Sequence, residues 1–193
     1  MLKVLKSIIY GLFCKFFYRV KYINKENESN LSKCIICPNH SIWTDPLYIF
    51  PSTDNINIMA KAELFKNKLI GKIFYSVGMF PIHRGQKDGQ SLLHAVNLIE
   101  KNEKAKLLIF PEGTRVKDIV HTKSKIGAIY IAIKANVPIV PVYITRKPKL
   151  FSRVYVIYGK PIYLDSSKHM DREYIKEKSD ELLNVIYSLK DNR

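Results

Sequence analysis

The chain predicts an α/β fold: one domain with a mostly parallel central sheet flanked by helices, preceded by an amphipathic helix that lies at a membrane interface. Three observations predict it. Short apolar runs of strand length recur along the chain and are bounded by Pro, Gly or Asn. Segments with apolar residues at helical spacing alternate with those runs, and alternation of this kind builds parallel sheets through helical crossovers. The first 25 residues hold Lys3, Lys6, Lys15, Arg19, Lys21 and Lys25 and no acid.

Residues 1–25 are expected to be a single interfacial helix. Leu2, Leu5, Ile9, Leu12, Phe13, Phe16 and Val20 fall on one broad stripe, with Lys3, Lys6 and Lys21 opposite. The longest uncharged run, Ser7 to Cys14, is too short to span a bilayer. The cations after it, and the lack of a small-residue cleavage site, argue against a signal peptide. Cations rimming an apolar stripe suit anionic headgroups; a helix packing its stripe on the domain is the competing reading. Residues 24–32 are polar and read as a linker, and residues 33–193 form the domain.

Within it, Cys34–Cys37 is a buried strand stopped by Pro38. Asn55–Ala60 is a strand and Glu63–Val77 a helix weakened by Gly71. A short strand-like piece around Gly78–Ile82 precedes a helix over Gln90–Lys101. Lys106–Phe110 is a strand, Lys125–Ala135 a helix, and Val137–Ile144 and Arg153–Tyr158 are strands. Asp171–Leu189 closes the chain as an amphipathic helix.

The chain has 193 residues, enough for a real core, and 32 basic against 17 acidic residues give a net charge of +15. The expected partner is therefore anionic. No zinc-finger spacing or glycine-aromatic signature points to nucleic acid. Three cysteines argue against a disulfide framework. Cys34 and Cys37 on an extended strand point to opposite faces, so no metal is expected there.

The chemistry concentrates in two blocks, each just beyond a presumed strand. Asn39-His40-Ser41-Ile42-Trp43-Thr44-Asp45 offers a base and an acid five residues apart. Five residues overshoot one helical turn, so the chain must bend for them to meet. A meeting would fix the tautomer that frees one ring nitrogen as a base; the plainer reading is a loop histidine with a capping aspartate. In Phe110-Pro111-Glu112-Gly113-Thr114-Arg115, Gly113 permits positive φ and Arg115 is a fork suited to phosphate or carboxylate. Between the blocks, Arg84 follows Gly78–His83.

In this order, with Lys61-Ala62-Glu63-Leu64 and Val137-Pro138-Ile139-Val140-Pro141-Val142, the chain resembles the glycerolipid acyltransferases. The specific likeness, over about Cys34 to Ile144, is to the bacterial 1-acylglycerol-3-phosphate acyltransferases. Val116-Lys117-Asp118 departs from that pattern by lacking a small-residue turn. The resemblance implies transfer of a fatty acyl group from acyl-CoA or acyl carrier protein to lysophosphatidic acid, making phosphatidic acid without an acyl-enzyme. It implies His40 as base and Asp45 as its orienting acid. Arg84 and Arg115 would hold the acceptor phosphate, with Lys61 adding charge, while Glu112 and Thr114 orient the acceptor or these arginines and Gly113 belongs to the same substrate-binding turn. Asn39 or a backbone amide is the expected oxyanion donor. No cofactor is implied beyond the thioester co-substrate. The expected location is the cytoplasmic face of the cell membrane, peripheral or monotopic. The alternatives are another lysolipid acceptor, or a non-catalytic basic membrane-binding module. A serine hydrolase is disfavoured because no Gly-x-Ser-x-Gly elbow occurs.

Overall fold

The computed structural model describes residues 2–82, 89–116, 123–168 and 171–191. Helix α1 (Leu2–Ile8) continues as a π-helical segment (Ile9–Phe17), followed by strand β1 (Val20–Ile23) and α2 (Glu26–Ser29). Then come β2 (Cys34–Pro38), α3 (Asp45–Ile49), β3 (Ile56–Lys61), α4 (Lys68–Ser76) and β4 (Met79–Ile82). The rest is α5 (Gly89–Lys101), β5 (Lys106–Leu108), α6 (Gly127–Ala135), β6 (Ile139–Ile144), β7 (Val154–Tyr158) and α7 (Arg172–Ser188).

The strands form one 7-stranded sheet in the order β1-β7-β6-β2-β5-β3-β4. All neighbours are parallel except β6 and β7, so β1 and β7 run against the rest. The expected α/β architecture is what forms. Helices α5, α6 and α7 cover one face, where Ile35 and Cys37 of β2 point. Cys34 and Ile36 point to the other, against α3 and the N-terminal helix. The two cysteines thus stand on opposite faces, as strand geometry requires.

Pro141 sits in a strand paired on both sides, where a missing N–H is normally not tolerated. It is accommodated because β7 pairs with β6 only from Val142 onward, while an isolated bridge joins Ile139 to Ile162. Pro141 occupies the gap, and its carbonyl accepts from Gly159 N at 2.8 Å. A Cβ on Gly159 would come within 2.8 Å of Pro141 Cγ, so glycine is what lets the chain pass.

Four expectations about the N-terminal third are corrected. The first helix ends at Phe17 rather than near residue 25, because Arg19 takes a positive φ of 29° and residues 20–23 pair with β7. Val20 and Tyr22 alternate with Lys21, a strand period that one more turn of helix also fits. The single apolar stripe is really two. Ile9 and Phe13 pack on the core beside buried Cys14, whereas Val4, Ile8, Leu12 and Phe16, four residues apart, stand 55–62% exposed. Lys6 faces the domain, not solvent: it lies 5.2 Å over the Phe50 ring and donates to the Thr53 carbonyl. Finally, the expected linker is ordered around α2, whose Glu28 is buried between Lys25 and Lys106. The helix expected over Glu63–Val77 is also divided, into a 3-10 turn (Ala62–Phe65) and α4, because Asn67 caps the latter by accepting from Leu69 N and Ile70 N.

Candidate active site

Adjacent parallel strands place the two chemical blocks side by side. β2 pairs with β5 over Cys34–Ile36 and Lys106–Leu108, so the segments leaving their carboxyl ends emerge next to each other. Ligand sites in open α/β sheets form at such ends.

After Pro38 the chain turns, and Asn39 ties the turn to β6. Its side-chain amide donates to Ile144 O at 3.1 Å and its carbonyl accepts from Ile144 N at 2.7 Å. Both polar ends of the Asn39 side chain are thus engaged in tying the turn to β6. Asp45 opens α3, but Thr44 is the cap, and the Asp45 carboxylate folds back over the preceding loop. Its Oδ2 accepts from Ser41 N, from Ile42 N at 2.9 Å and lies 2.9 Å from His40 Nδ1. The carboxylate is fully buried, while the His40 side chain keeps 15% exposure. A buried carboxylate on Nδ1 leaves Nε2 unprotonated in the neutral ring and stabilises the imidazolium once Nε2 takes a proton. The Phe110 ring stacks on the imidazole at 4.0 Å and limits its rotation.

Glu112 is buried at 2% exposure and reaches across to the first block. Its Oε2 accepts from His40 N at 2.9 Å, and its Oε1 accepts from the Tyr187 hydroxyl at the end of α7. Burial pushes its carboxyl above the usual glutamate range, opposed by the Tyr187 and His40 hydrogen bonds and by the Arg146 charge. Burial, then the Glu112 carboxylate, pushes the Tyr187 hydroxyl up as well. Val116 N donates to His40 O at 2.8 Å, and Arg146 holds Val116 O at 2.7 Å. The expectation that Glu112 orients the acceptor or the arginines is therefore replaced: it braces the histidine loop against α7.

Gly113 takes a φ of +69°, the freedom its position demands, and a Cβ there would come within 2.9 Å of Lys125 Cγ. Thr114 is exposed on the cleft wall and Arg115 is exposed beside it in sequence, with no ion pair among the described residues engaging Arg115. Lys61 ends β3, half exposed and 3.0 Å from Glu63. Arg84 lies outside the described residues. A cleft of about 530 Å³ runs from Phe110, Glu112, Gly113 and Lys125 along apolar side chains of β3, β4, α5 and α6. Most of its wall is carbon, including Met59, Ile82, Leu92 and Ile131.

An acyltransferase family model matches residues 19–145, which includes both blocks and the strands that carry them. The chain belongs to the acyltransferase family. The 1-acyl-sn-glycerol-3-phosphate acyltransferase of Streptococcus pneumoniae is 33% identical over 149 residues, covering 74% of this chain and 54% of that protein. The enzyme of the same name from Bacillus subtilis is 32% identical over 160 residues, covering 78% and 77%. The chain thus spans about half the length of the first relative and three quarters of the second. Among solved structures, the lysophosphatidate acyltransferase PlsC of Thermotoga maritima superposes with a TM-score of 0.71 over 98% of this chain and 79% of that one, at 22% identity. This likeness is one of fold.

Sequence reasoning missed Tyr187, Arg146, Phe110 as the stacking ring, and Lys125. Tyr187 lies on the last helix, 75 positions from Glu112, and no local pattern marks such a pairing. Lys125 read as the start of a helix; its place on the cleft wall beside Gly113 comes from a tertiary contact, its N–H donating to Pro111 O at 2.7 Å.

Proposed function

We propose that this acyltransferase esterifies the free hydroxyl of 1-acyl-sn-glycerol 3-phosphate with a fatty acyl group from acyl-CoA or acyl carrier protein, yielding phosphatidic acid. The observation that carries the reading is the His40–Asp45 contact at 2.9 Å, braced by Glu112 beside a cleft lined with carbon. The names of the two bacterial relatives support the choice of acceptor.

His40 Nε2 takes the proton of the acceptor hydroxyl as its oxygen attacks the thioester carbonyl. Asp45 steadies the imidazolium that results. The tetrahedral intermediate collapses by breaking the carbon–sulfur bond, and the thiolate leaves with the proton held on Nε2. No acyl-enzyme forms. Arg115, Arg84 and Lys61 supply positive charge for the acceptor phosphate, Arg115 in the bidentate form a guanidinium allows. Fixing the phosphate holds the hydroxyl near the base, which is worth several kcal/mol of barrier. The apolar cleft offers a place for an acyl chain.

No helix among the described residues is long and apolar enough to cross a membrane. The exposed stripe of Val4, Ile8, Leu12 and Phe16 supports peripheral attachment to an anionic cytoplasmic leaflet through the N-terminal helix. The test is an acyl-transfer assay that offers both donors against lysophosphatidate and its unphosphorylated analogue. Preference for the phosphorylated acceptor is expected. Rapid thioester loss that ignores the acceptor would refute the reading in favour of a hydrolase.

A further inference from the structure

Helix α4 is held to the domain in an unusual way. Its only buried residue is Gly71, and a Cβ there would sit 3.2 Å from the Phe65 carbonyl oxygen. The helix therefore docks on the turn before it through close backbone contact and through Phe74, whose ring meets Phe65 edge-on at 5.6 Å, while its other large apolar side chains stay largely uncovered. Those face out: Leu64 of the turn is 50% exposed, Leu69 71%, Ile70 43%, Ile73 53% and Tyr75 57%. Leaving so much apolar surface in water on one short helix is costly and calls for an occupant.

The charges around the patch indicate which occupant. Lys66, Lys68 and Lys72 are exposed among these apolar residues, and the one acid within residues 61–77, Glu63, is already paired with Lys61. Protein interfaces are depleted in lysine, and a two-fold pairing of this surface with a second copy would set its lysines against each other. Anionic headgroups over an acyl layer satisfy both the lysines and the apolar side chains.

Position agrees. The crossovers from β2 to β3 and from β3 to β4 move in the same direction across the sheet, so the right-handed rule puts α3 and α4 on one face, which the N-terminal helix shares. Two further apolar groups stand at the carboxyl edge of the sheet, where His40 is displayed. Trp43, three residues after His40, is 72% exposed. Phe151, in the β6–β7 turn, is 52% exposed and meets the Phe16 ring at 6.0 Å.

The geometry points to α4 and its preceding turn as a second lipid-contact surface, separate from the N-terminal helix, whose occupant is an anionic bilayer. Two contacts on one face orient the site edge toward the membrane, where a single helix alone leaves the domain free to swing. The proposal rests on the reading that the substrate is a membrane lipid.

The test compares the full chain with Leu69→Gln/Ile73→Gln and with Lys68→Glu/Lys72→Glu. Each is sedimented with vesicles of phosphatidylcholine alone and of phosphatidylcholine with phosphatidylglycerol. Activity is assayed in parallel on a short-chain lysophosphatidate dissolved as monomer. Both double variants should keep the wild-type circular dichroism and solution activity, since the altered side chains are exposed. Both should bind the anionic vesicles about tenfold more weakly or worse, because each apolar side chain withdrawn from lipid and each charge reversed is worth a large part of a decade. Equal binding by wild type and both variants overturns the proposal. So does a wild-type dimer in solution that the variants lose while vesicle binding stays unchanged. Weakened vesicle binding with no transfer activity in any form, wild type included, would sustain the α4 surface and fail the functional reading instead.

Discussion

Replacing Asp45 by asparagine changes one atom at the centre of the proposed mechanism. The carboxylate Oδ2 serves three donors, His40 Nδ1 and Ile42 N at 2.9 Å each and Ser41 N, while Oδ1 is buried with no hydrogen-bond partner among the described residues. An asparagine that keeps its oxygen at the Oδ2 position must put its NH2 where Oδ1 was, a buried donor without an acceptor. The cost is about 1–3 kcal/mol of folding stability. The flipped amide is worse, since it sets NH2 against three donors. In either orientation the negative charge is gone, and charge-assisted hydrogen bonds are roughly twice as strong as neutral ones. The imidazolium then loses about 3–4 kcal/mol of support at the transition state, which lowers kcat about 100- to 1000-fold. Steady-state release of free thiol gives kcat and KM, and urea denaturation gives stability. The expected pattern is a large fall in kcat, little change in KM and modest destabilisation. A variant that is destabilised yet keeps kcat within about threefold of wild type would show Asp45 to be a loop brace only, and the reasoning would fail.

Three other outcomes follow from the same geometry. Glu112 has a raised pKa in the folded state, so between its unfolded and folded pKa values the folded protein binds more protons; its contribution is fullest at acid pH and is lost as pH rises through the folded value. Urea midpoints over a pH series should therefore show wild type losing ground to Glu112→Gln as pH increases, and a pH-independent gap would contradict the buried carboxyl. Gly113→Ala forces a side chain into a φ of +69° beside Lys125 and should cost about 1–2 kcal/mol, seen as a melting temperature lower by a few degrees; an unshifted melt would count against the strain. Arg115→Ala should raise KM for a phosphorylated acceptor while leaving the thioester KM alone, because its exposed guanidinium has no ion-pair partner among the described residues. Equal KM values would remove it from the phosphate site.

Much of this fold could be read from local pattern, and the exceptions share a cause. β2, β3, β5, β6 and β7 announced themselves as strand-length runs, and α5, α6 and α7 by their helical period. β1 did not, because Val20 to Ile23 becomes a strand only by pairing with β7, more than a hundred residues away. The N-terminal stripe was visible, but its division into a docked row and a free row depends on where Phe50, Tyr48 and Thr53 lie. At the site, His40 and Asp45 were legible as a pair because the bend they need is local. Glu112 was legible as important but not for its reason: its partners, His40 N and Tyr187, come from elements that meet only in the folded chain. Asn39 illustrates the converse, a polar residue beside the base whose side chain is spent on holding β2 to β6.

The most direct measurement is kcat for His40→Ala with lysophosphatidate and an acyl thioester, taken alongside its circular dichroism and vesicle binding. The account predicts a fall of about 1000-fold or more with fold and membrane attachment intact, since the variant removes the base and leaves the loop bonds to Glu112 and Val116 in place. Turnover near that of the wild type would contradict it.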